Sequence, residues 1–212
     1  INTGKVIGPR LLAAGRDLGA TSSNVDSPGG LSQIADGPWA LRKAVREQRK
    51  IGVDVLKVFI DGENINQQNP AGELSFTDEE LHAVVDEAHR RQLKVACHSR
   101  SAAAVKQAVN AGVDFIGHAN YLDDEAVELL AARKESVFVG PALAWELTYL
   151  EKSESVGVPL ETVIEQGYQA EVDATIKSVA KLREAGVRLV VGGGHGISIA
   201  PHGTYAKDLE YF

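Results

Sequence analysis

Apolar positions in this chain fall into short continuous runs separated by stretches of helical spacing. The run Val53-Asp54-Val55-Leu56-Lys57-Val58-Phe59-Ile60 is rich in β-branched and aromatic residues, and Asp61-Gly62 stops it. Such a run predicts a strand covered on both faces, as in parallel sheets. Similar runs occur at Lys94 to His98, Val113 to Gly117, Val137 to Pro141 and Val187 to Val191, with a shorter first one at Leu11 to Gly15. Helices are predicted between them. Asp36-Gly37-Pro38 supplies a cap and an N1 proline for a helix through Lys50. Thr77 and Glu80 form a capping box ahead of Leu81, Val84, Val85 and Ala88 at helical spacing. Ala102 to Ala111 is closed by Gly112, Asp123 can cap Glu125 to Arg133, and a long helical region spans Leu160 to Ala185. Residues 16 to 36 and Glu63 to Ser75 read as polar loops, and Leu209 to Phe212 as the first turn of a further helix.

Strand and helix alternate throughout, which argues for a parallel sheet with helical crossovers. About six strands suit either an open doubly wound sheet or a (β/α) TIM-barrel type lacking two units, since a full barrel takes eight strands and about 250 residues. The 212 residues, 44% hydrophobic, suffice for one sizeable core. A net charge of −7 without a dominant basic cluster excludes nucleic acid and anionic membrane as expected partners. No apolar run reaches the length of a membrane span, and no signal peptide is visible. The single cysteine, Cys97, excludes an internal disulfide framework and suits a reducing, cytoplasmic compartment. Beginning on Ile1 and containing no methionine, the chain reads as an internal piece of a longer reading frame.

The residue that stands out is Lys57, because an unpaired ammonium in an apolar strand is costly. It must snorkel, pair, shift its pKa or be chemically altered. His98 and His118 end the next two strands, and in parallel α/β folds the carboxyl ends of strands open on one ligand-binding face. Two neutral imidazoles and one further ligand can hold a divalent metal, commonly zinc; each histidine alone also reads as a satisfied core or loop residue. His195, in Gly192-Gly193-Gly194-His195-Gly196, is a candidate base or a loop histidine without a role. His202, in a Pro-His-Gly turn, either shapes a substrate pocket or serves the turn. Arg100 either meets a substrate carboxylate or is a solvated arginine at a helix start. Cys97 is expected to face the helices as a core thiol, and His82 and His89 to lie on the surface.

Gly8-Pro9-Arg10-Leu11-Leu12, Leu56-Lys57-Val58-Phe59, Ala96-Cys97-His98-Ser99, Ile116-Gly117-His118-Ala119 and Pro201-His202-Gly203 together resemble the amidohydrolase superfamily of metal-dependent hydrolases, in particular its prolidase-like, amide-cleaving branch. The resemblance implies a barrel catalytic domain, with residues 1–212 covering its strands three to eight. The first strands, last helix and small β-sandwich domain of that family lie outside the match. It also implies that Lys57 is carboxylated by CO2 and that its carbamate, with His98 and His118, binds divalent metal, zinc being the expected ion. Two departures stand beside it. No His-x-His pair occurs in the chain, and Gly194 occupies the position expected to be an aspartate base. The implied activity is hydrolysis of amide, peptide or carbamate-like C–N bonds in a small-molecule substrate, weak or absent in this chain as it stands. Two other classes are open. The glycine run could cradle a phosphate in a small-molecule-binding barrel without hydrolysis, with Lys57 as a phosphate contact or Schiff-base lysine. A partial barrel could instead persist as a homo-oligomer through its unpaired edges.

Overall fold

The computed structural model describes residues 1–30, 32–64, 69–196 and 198–211. Its strands are β1 (Leu18–Gly19), β2 (Gln33–Ile34), β3 (Val55–Phe59), β4 (Lys94–Ser101), β5 (Phe115–Tyr121), β6 (Phe138–Gly140) and β7 (Arg188–Leu189). They form one seven-stranded sheet in the order β2-β1-β3-β4-β5-β6-β7, and every pairing is parallel. The helices are α1 (Pro38–Lys50), α2 (Asp78–His89), α3 (Ala102–Ala111), α4 (Asp124–Ala132), α5 (Leu143–Lys152), α6 (Leu160–Glu165) and α7 (Tyr168–Glu184). This is the parallel (β/α) barrel type, and it is incomplete: among the described residues β2 and β7 do not pair to close it. No described helix is long and apolar enough to cross a membrane.

Register assigns the two faces of the sheet. Val58, Cys97, Ile116 and Val139 stand in one cross-strand row, and each is fully buried in the core beneath the helices. Burying each such side chain is worth about 1.5–3 kcal/mol, so this row carries much of the sheet's stability. The alternate positions form the inner rows, Lys57–Ala96–Phe115–Phe138–Arg188 and Phe59–His98–Gly117–Gly140. Val55, Lys57 and Phe59 keep partial exposure there while Leu56 and Val58 have none. Chemistry is therefore confined to the inner face, as the period of two demands.

Several expectations need correction. Among the described residues the sheet has seven strands where about six were expected. Leu11 to Gly15 is not a strand: Leu11 and Leu12 are exposed, and only Ala14 makes an isolated parallel bridge, to Val55. Leu18, fully buried, is the residue that reaches the core, so β1 and β2 lie in the stretch expected to be loop. Helix α5 escaped the periodicity because its buried positions include Glu146 and Thr148. The long region from Leu160 to Ala185 breaks at Gly167, whose φ of 89° ends α6 and opens α7. Asp36 does not cap α1; it accepts from Thr21 N and Thr21 Oγ1 instead. Residues 65–68 of the polar loop and Phe212 at the end lie outside the described residues; Tyr205–Tyr211 is a 3-10 helix.

The other caps form as expected. Thr77 Oγ1 accepts from Glu80 N, and the Glu80 carboxylate accepts from Thr77 N at 2.8 Å. Gly112 closes α3 and Asp123 caps α4; Ser101, not singled out from the sequence, caps the start of α3. Thr77→Ala should lower stability by about 1 kcal/mol, read as a lower denaturant midpoint with an unchanged slope.

Candidate metal centre and its cavity

Asp61, directly after β3, fixes the top of the sheet. Its buried carboxylate accepts from Arg100 N and Ser101 N, both at 2.9 Å, so β4 runs on to Ser101 rather than stopping at His98. β5 likewise continues past His118 to Tyr121. The two histidines are thus internal to their strands. Below them opens a cavity of about 370 Å³ whose wall includes Lys57, Phe59, Glu63, His98, His118 and His195.

Simple alternation would not bring His98 and His118 together. His98 pairs with Gly117, so His118, one residue on, should face the helices. The backbone resolves this. His118 and Ala119 have φ of 74° and 55°, and the β4–β5 register shifts between Ser99 and Ser101. Left-handed backbone at non-glycine residues costs on the order of 1–3 kcal/mol each and clusters at functional sites. Here it turns the His118 ring inward, edge-on to His98 at 4.6 Å between centroids. Gly117 makes the approach possible, since a Cβ there would meet Cys97 O at 2.6 Å.

The ring nitrogens are disposed for a ligand. His98 Nε2 lies 3.2 Å from the Gly62 carbonyl, which can only accept, so Nε2 carries the proton and Nδ1 keeps its lone pair. His98 Nδ1 is 3.7 Å from Glu63 Oε1. His118 Nδ1 is buried without a hydrogen-bond partner among the described residues. Burial, and then the Arg100 guanidinium, push both imidazoles well below the ordinary histidine pKa, so both are neutral at neutral pH. Burial also holds the Lys57 amine below its usual value, against the opposing pull of Cys97, Asp17 and Glu63. Among the described residues no three His, Cys, Asp or Glu side chains are grouped to hold a metal. Beside His98 and His118, the cavity wall carries Lys57 and Glu63 as further groups of opposite charge.

Behind the histidines lies a buried charge cluster that the sequence did not disclose. Arg100 is 1% exposed and does not line the cavity. Its Nη1 donates to Asn120 Oδ1 at 3.1 Å, to Glu146 Oε1 at 3.2 Å and to Glu171 Oε1. It is not a solvated arginine, and its Nη2 lies 3.5 Å from Glu63 of the cavity wall. Burial opposes its charge, but Glu171, Glu63 and Glu146 outweigh burial and raise its pKa. Glu146 is driven well above the usual carboxylate range by burial and by Glu171. The Thr175 hydroxyl is within reach of two acceptors, Glu171 O at 2.7 Å and Glu146 Oε2 at 3.1 Å.

The far wall is the glycine run. Gly192 N donates to Asp208 Oδ2 at 2.6 Å and Gly196 N to Ala200 O at 2.8 Å. Two of the N–H groups that a phosphate cradle would use are thus occupied. Gly194 has φ of 98°, and a Cβ there would lie 2.9 Å from Trp145 Cβ, so this backbone does not accommodate the expected aspartate without strain. His195 lines the cavity; His202 lies outside its lining, with Nδ1 bonded to the Tyr205 hydroxyl. Cys97 is a buried core thiol, and burial raises its pKa to about 11. His82 and His89 are exposed, His89 pairing with Asp114 at 2.9 Å.

Known proteins resemble the chain over nearly all of its length. Ochratoxinase from Aspergillus niger is 28% identical over 233 residues, matching 100% of this chain and 47% of its own length. The solved Aspergillus niger ochratoxinase superposes with a TM-score of 0.82 at 25% identity, over 99% of this chain and 51% of that one. A Xaa-Pro dipeptidase with bound methionine in its active site gives 0.84 at 28% identity, over 99% of this chain and 53% of that one. The chain spans about half the length of the curated relatives it matches. The amidohydrolase family is matched over residues 2–199, nearly the whole chain, with the lysine strand, both histidine strands and the glycine wall inside the match. The chain belongs to the amidohydrolase family.

Proposed function

We propose that the protein is a metal-dependent hydrolase of amide-type C–N bonds, with Lys57, His98 and His118 holding the divalent ion. The observation that carries this reading is the convergence of a lysine of lowered pKa and two neutral imidazoles on one cavity. A neutral amine is the form that reacts with CO2, the nitrogen bonding to carbon and releasing one proton. Lys57 as its carbamate then supplies an anionic ligand. Bound zinc would lower the pKa of a water and polarise the scissile carbonyl. His98 is held for this role by its Nε2–H bond to Gly62 O, the usual support of a ligating histidine. His195 takes the water's proton, in the absence of an aspartate at Gly194. Small acylated amines or dipeptides suit the cavity, whose wall carries Phe59, Phe115 and Trp145 beside Lys57. Turnover by these 212 residues should be at trace level, because the sequence contains no His-x-His pair for a second ion.

Calorimetric titration with zinc in bicarbonate buffer tests the reading. One ion per chain is expected, weakened in Lys57→Met, His98→Ala or His118→Ala by more than the about 10–100-fold seen for outer-shell changes. Binding indifferent to all three substitutions would end the proposal. The lowered Lys57 pKa also suits a Schiff base; borohydride trapping of a carbonyl compound on Lys57, with no metal bound, would favour that second reading.

A further inference from the structure

His195 is held from outside the cavity by the segment that follows it. The Thr204 hydroxyl has one proton and donates it to the Pro201 carbonyl at 2.9 Å. Its other contact, with His195 Nδ1 at 3.1 Å, then has one possible sense: Nδ1–H donates and the hydroxyl oxygen accepts. A neutral imidazole protonated on Nδ1 carries its lone pair on Nε2. That Nε2 is buried and has no hydrogen-bond partner among the described residues. Tyr205 packs edge-on against the same ring at 4.7 Å between centroids, and its hydroxyl bonds His202 Nδ1.

We propose that Thr204 is a positioning residue that fixes His195 as the Nδ1–H tautomer and keeps Nε2 free as an acceptor. The use of that acceptor rests on the hydrolytic reading above. In that reaction a water O–H proton passes to Nε2 as the water oxygen bonds to the carbonyl carbon. The imidazolium keeps its Nδ1–H on Thr204. The Nε2 proton then goes to the leaving nitrogen as the C–N bond breaks, and His195 returns to its starting tautomer. His202 is held against the same segment by Tyr205.

The tautomer can be read without metal, substrate or turnover, by long-range proton–nitrogen NMR correlation on the full chain labelled with 15N. The expected result is Nδ1–H at His195 in the native chain, a mixed or Nε2–H population in Thr204→Val, and recovery in Thr204→Ser. An Nε2–H His195 in the native chain overturns the inference, even if the variants fail to fold. So does a Thr204→Val spectrum identical to native. Where hydrolysis is measurable, Thr204→Val should lower kcat with KM unchanged, by less than the about 10²–10⁴-fold that a lost general base costs. If the tautomer is as expected but His195→Ala hydrolyses as well as native, the base assignment fails and the role of Thr204 in fixing the tautomer stands.

Discussion

Arg100→Met should destabilise the protein by about 3–5 kcal/mol, the usual result of removing one partner from a buried ion pair. The substitution keeps the volume of the stem but leaves Glu171, 1% exposed, without its cation. Denaturant unfolding at neutral pH reads the loss. Arg100→Met with Glu146→Gln and Glu171→Gln should recover most of it, because no buried charge then lacks a partner. Glu146→Gln alone should change stability by less than about 1 kcal/mol, since an amide, like a protonated carboxyl, is neutral and keeps an oxygen to accept from Asn120 and Arg100. Its pH signature is distinct. A carboxyl raised in the fold binds more protons there than in the unfolded chain, so its contribution falls as pH rises above about 4.5 and levels off above the folded pKa. Glu146→Gln should flatten that decline. A full 3–5 kcal/mol loss in Glu146→Gln at neutral pH would mean that the carboxylate is ionised.

Asp208→Ala should cost about 3 kcal/mol, two hydrogen bonds to a buried carboxylate at about 1.5–3 kcal/mol each, less some relaxation. Asp208 Oδ1 accepts from Ala144 N at 2.7 Å and Oδ2 from Gly192 N at 2.6 Å. It thereby serves as the missing cap of α5, whose own N-cap residue, Ala142, has no side chain able to accept. The same bonds tie the wall carrying His195 to the helix carrying Trp145. Beyond the stability loss, the NMR signals of Gly192 to His195 should broaden in Asp208→Ala. Asp208→Asn, which keeps one acceptor oxygen, should lose about half as much. An Asp208→Ala variant as stable as native, with an unchanged glycine wall, would show that the clamp is idle.

What was legible in the sequence followed from periodicity and from residues whose chemistry clashes with their surroundings. Lys57 declared itself because an ammonium has no business in an apolar strand, and it does line the cavity with His98 and His118. The central strands and the helices α2, α3 and α4 were readable because apolar spacing and caps agree there. Strands β1 and β2 were not, since two residues each carry no period, and β1 is recognisable only by the burial of Leu18. The inward turn of His118 depends on left-handed backbone at two non-glycine residues, which has no sequence signature. The Arg100 cluster was hidden for a different reason. Glu171 and Thr175 lie in the stretch of predicted helix and Glu146 in one left unassigned, and only tertiary packing makes all three interior. Asp208 likewise looked like any acidic residue near a chain end.

Arg100 also constrains the order in which the molecule can assemble. It sits on β4, whose partner β5 follows after the single helix α3, a short connection that closes readily. Its carboxylate partners come from much further along, Glu146 at 46 residues and Glu171 at 71. Until they arrive the guanidinium must stay hydrated, because removing a charge from water without its counter-ions costs several kcal/mol. Glu146 comes from α5 and Glu171 from α7, so the cation is fully enclosed only when both helices are in place. Asn120 adds to the linkage, donating to Glu146 Oε1 and Thr175 Oγ1 from the strand beside them. Docking of α5 and α7 onto the sheet is therefore expected to be coupled through Arg100.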